Sequence, residues 1–121
     1  MRKDKITEKE KIKVYIGRSS LCYADDINAP NPAVFYLPDS MDELIVLLNR
    51  TLPFAGWHCY KGKYDTHVKG AEDGIIVWEK AEEHSLISFI AEGQGNECKS
   101  IVKYDRDWYR QIREYPYLYF E

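Results

Sequence analysis

Two apolar runs, Ile75-Ile76-Val77-Trp78 and Leu86-Ile87-Ser88-Phe89-Ile90, flank the polar segment 79–85. Both are rich in β-branched and aromatic residues, and neither alternates as a strand with one wet face would. Gly74 and Gly93 bracket them, and each run is too short for a helix. The pattern predicts a β-hairpin at the centre of a sheet, with its turn in 79–85 and both of its faces covered. Helices must then lie on one side, with more chain or a second subunit on the other.

Other segments fill in this picture. Ile12, Val14 and Ile16 alternate with Lys13 and Tyr15, which predicts a half-buried strand ended by Gly17-Arg18-Ser19-Ser20. Residues 25–32, with Pro30 and Pro32, read as a turn-rich loop, and residues 33–37 as a second strand. Ser40 and Glu43 make a Ser-x-x-Glu capping box. Met41, Leu44, Ile45 and Leu48 then follow the spacing of one buried helical face, with Pro53 as the outer limit. Residues 99–104 predict another strand. Asp105 is placed to cap a second helix over 106–114, Pro116 stops it, and residues 117–120 predict a last edge strand.

The expected fold is α+β: one domain over 12–121, with a largely antiparallel sheet of five to seven strands and two helices packed on it. Residues 1–11, mostly charged, read as a mobile tail. A chain of 121 residues can bury a core of its own, and 45% hydrophobic and 31% charged residues are ordinary for a globular domain.

Charge and composition narrow the function classes. A net charge of −3 is a poor match for duplex nucleic acid, which calls for a basic footprint. No stretch is apolar over membrane-spanning length, and no hydrophobic segment follows the charged start, so the expected location is the cytoplasm. The three cysteines, Cys22, Cys59 and Cys98, are odd in number and share no spacing, which favours reduced thiols over a disulfide framework. Ten tyrosines are available for core filling or for interfaces.

The most unusual local feature is residues 57–69, where Lys61, Lys63 and Lys69 meet Trp57, His58, Tyr60, Tyr64 and His67, with Asp65 the one opposing charge. Rings stack on bases, worth roughly 1–3 kcal/mol per base, and lysines attract phosphate. The competing reading is a twisted hairpin turning at Lys61-Gly62, with solvated lysines. A second stretch, Gly17-Arg18-Ser19-Ser20, could form an anion nest in which Arg18, Ser19 and Ser20 hold phosphate, or it could be an ordinary turn. A third, residues 115–120, is aromatic enough to need cover from its own sheet or from another subunit.

Three functions follow. The first is a non-catalytic protein that holds or sequesters an anionic, nucleotide-like ligand, either within one subunit or at a subunit interface of a homo-oligomer. Its site would use Arg18, Ser19, Ser20, Trp57, His58, Tyr60, Lys61, Lys63, Tyr64 and His67. The second is an inhibitor, immunity or anti-defence accessory protein that covers a partner's site. The third is a small enzyme using His58, Cys59 or His67. Gly93-Gln94-Gly95 is followed by a strand pattern, so the dinucleotide fingerprint fails. No metal-ligand spacing and no cofactor motif is present.

Overall fold

The computed structural model describes residues 11–19, 33–52, 56–67, 72–92 and 99–121. Residues 1–10 of the expected tail, the loop over 25–32, Ser20, Pro53, Lys69 and the loop after Glu92 lie outside the described residues, as do Cys22 and Cys98. Six strands and two helices follow the order β1 (Lys13–Arg18), β2 (Ala33–Tyr36), α1 (Met41–Thr51), β3 (His58–Asp65), β4 (Ile76–Glu92), β5 (Lys99–Tyr104), α2 (Trp108–Glu114) and β6 (Tyr117–Phe120). The sheet order is β2-β1-β6-β3-β4-β5. Every pairing is antiparallel except β1 with β6, so the α+β expectation holds but the sheet is mixed.

Both helices cover one face. Ser40 Oγ accepts from the Glu43 amide at 3.1 Å, which starts α1 as the capping box predicts. Leu44 and Leu48 are buried, and Met41 and Ile45 pack at the edge of the same core. Val14, Ile16, Trp57, Cys59, Ile87, Leu118 and Phe120 meet them from the sheet, and Trp108 and Ile112 from α2. Asp105 does not cap α2 with its side chain. It accepts from Trp108 N through its carbonyl, at 3.1 Å, and its carboxylate accepts from Gln111 Nε2 at 3.0 Å.

Three expectations change. First, residues 79–85 do not turn the chain; β4 is one strand of 17 residues. Its pairing with β3 passes from Tyr60↔Ser85 to Gly62↔Lys80, which leaves residues 81–84 opposite Lys61 alone. These four residues bulge out of the ladder, all exposed, and the strand then resumes. Polar residues leave a strand here without reversing it, so composition alone resembles a turn. Smaller shifts leave Trp78 and Leu86 without partners on β3. The second explains why the consecutive residues Leu86 and Ile87 are both buried.

Second, β6 is not an edge. It runs parallel to β1 and antiparallel to β3, in the middle of the sheet. Third, Gly17 and Arg18 continue β1, in register with Tyr119 and Phe120, and Lys61-Gly62 continue β3. The expected turns at both places are absent.

The face away from the helices is concave. Val77, near the start of β4, lies over Gly17 of β1 and Gly62 of β3, so the sheet curls into a half-barrel with β6 at its base. Only residues without a side chain fit beneath Val77.

Candidate functional site

Strand pleating divides the predicted site between the two faces of the sheet. Cys59 and Lys61 pair with Phe120 and Leu118, residues of the helix-covered core. Tyr60 pairs with Tyr119, and Tyr64 with Val77, on the concave face. Trp57 is fully buried, stacks on Phe89 at 5.5 Å and donates from Nε1 to Asn49 Oδ1 at 3.1 Å. It offers no open ring to a base. Arg18, 5% exposed, sits in register with Phe120 on the core face. The Ser19 amide donates to the Phe120 carbonyl at 2.8 Å and is already used by the sheet.

The lysines do not converge on a common point. Lys63 pairs with Glu79 at 2.8 Å, and Lys61 lies 4.0 Å from Glu82 on the bulge. The carboxylates of β4 offset the sign reversal seen in residues 57–69. His67 is exposed; its amide donates to Asp65 Oδ1 at 2.8 Å in a local turn.

What the fold does bring together is tyrosine. Tyr64 stacks on Tyr117 with ring centroids 3.9 Å apart, and Tyr15 stacks on Tyr117 at 5.7 Å. Tyr115 meets Tyr117 edge-on at 5.4 Å and Tyr64 at 6.2 Å. Its hydroxyl donates to the Gly62 carbonyl at 2.7 Å. The cluster draws on β1, β3 and β6 and on the short link after α2, and it fills one mouth of the half-barrel.

Its rim is polar. The 3-10 turn Glu72–Gly74 carries Asp73 at φ 56°, a left-handed conformation that Asp tolerates. Asp73 Oδ2 accepts from Lys13 Nζ at 2.5 Å and from the Tyr15 hydroxyl at 3.2 Å. The Lys13 hydrogen bond holds the Asp73 carboxyl below the usual range, and Asp73 raises Lys13 in return. Burial, then the bond to Asp73, raises the Tyr15 phenol; burial, then Tyr64 and Tyr117, raises that of Tyr115. Both phenols therefore stay neutral and act as hydrogen-bonding groups. Tyr64, 43% exposed, presents the most open ring of the four.

Of the predicted residues, Tyr64 belongs to this cluster, while His58 and Tyr60 lie further along the same face. Tyr15, Tyr115 and Tyr117 were not among them. A sequence signal for Tyr15 and Tyr117 existed: Tyr15 sits between core residues Val14 and Ile16, and Tyr117 alternates with Leu118 and Phe120, so period two places both tyrosines on the face opposite the core.

Cys59 is fully buried on the core face, and burial pushes its thiol well above the ordinary value. His58 projects to the other face, so the adjacent pair does not form a nucleophile and base. Among the described residues, no three His, Cys, Asp or Glu side chains gather as a metal site, and no helix is long and apolar enough to cross a membrane. A groove of about 770 Å³ lies beside α1, lined by Tyr36, Asp39, Asp42, Glu43, Val46 and Arg50 among others; it contains none of the predicted site residues. No protein-family model, curated protein or solved structure matches the chain.

Proposed function

We propose that this chain is a non-catalytic binding protein that engages a protein partner through the tyrosine-lined mouth of its curled sheet. The observation that carries the reading is the stacking of Tyr64 on Tyr117, with Tyr64 still 43% exposed. Rings already held by neighbours lose little freedom on docking, and each offers an apolar plate with a polar tip. Tyrosine is enriched at interface cores for these reasons. The form of action this supports is that of an inhibitor, immunity or anti-defence accessory protein covering a partner's site. An anionic, nucleotide-like ligand has less support, because the ion-paired Lys61 and Lys63 have less charge to offer a phosphate.

The test pairs affinity purification from the native cell with calorimetry against a nucleotide panel that includes cyclic forms. A stoichiometric protein retained by the wild type and by Tyr36→Ala, but weakened at least about tenfold by Tyr64→Ala, is the expected result. Saturable nucleotide binding that Lys61→Ala weakens and Tyr64→Ala leaves intact would replace this reading with the ligand-binding one. Self-association lost in Tyr64→Ala would make the occupant a second copy of the chain.

A further inference from the structure

We draw no further inference here: the strongest candidate, the groove of about 770 Å³ beside α1 and the end of β2, lined by Tyr36, Val46 and the exposed Asp39, Asp42, Glu43 and Arg50 among others, is an unpartnered surface, and nothing in the structure shows what covers it.

Discussion

Val77 of β4 rests against Gly17 of β1: a Cβ built on Gly17 would fall 1.7 Å from the Val77 carbonyl oxygen. The contact is backbone on backbone, between strands that two others separate in the sheet. It fixes the curl that brings Tyr15, Tyr64 and Tyr117 into one cluster. Gly17→Ala must push β4 away and should cost at least the ~1–3 kcal/mol typical of an overpacked core. Gly62→Ala meets the Val77 Cγ1 atom, at 2.2 Å, rather than its backbone, and should cost less. Urea denaturation checks the order; a Gly17→Ala midpoint at or above that of Gly62→Ala would contradict the curl.

The Lys13–Asp73 pair predicts a pH window. The folded Asp73 carboxyl lies below its ordinary value, so its contribution is present above that value, about 3.9, and is lost as pH falls through the lowered one. Lys13 is raised, so its contribution is present below about 10.4 and is lost as pH rises through the raised value. The Tm gap between wild type and Asp73→Asn should therefore be open across the neutral range and close toward both extremes. A gap that widens in acid would contradict the pairing.

Cys59 should resist alkylation in the native protein and react fully in denaturant, since its buried thiol is held in the protonated form. The check is mass spectrometry after exposure to iodoacetamide. Rapid native labelling at Cys59 would remove it from the core.

Leu44→Asp should destabilise by several kcal/mol, of order 3–5, because Leu44 is fully buried between α1 and the sheet, where a carboxylate loses its water. Thermal unfolding followed by circular dichroism measures this, and a near-neutral effect would displace α1 from the core.

The helix carrying Leu44 was legible in the sequence because its signals are local. Ser40, Glu43 and the Met41–Leu44–Ile45–Leu48 spacing lie within three turns, and the cap hydrogen bond follows from them. The same holds for β5, whose limits match the strand expected over 99–104. What was not legible depends on distant partners. The bulge over residues 81–84 has the composition of a turn, and only pairing on both sides with β3 shows that the strand continues. The central place of β6 rests on a parallel pairing with β1, about a hundred residues earlier, which no local pattern encodes. The charge reversal in residues 57–69 was real in sequence, but Glu79 and Glu82, which offset Lys63 and Lys61, come from another strand. The tyrosine face has no local signature because the segments that build it are separate in the chain.

Site-specific photocrosslinking in the native cell tests the tyrosine face most directly. A photoreactive phenylalanine at position 64 lies in the mouth of the half-barrel, and one at position 36 lies on the far edge strand, where Tyr36 is equally exposed at 43%. A single protein is expected to crosslink from position 64 and none from position 36. Crosslinks of equal yield from both positions, or from position 36 alone, would contradict it.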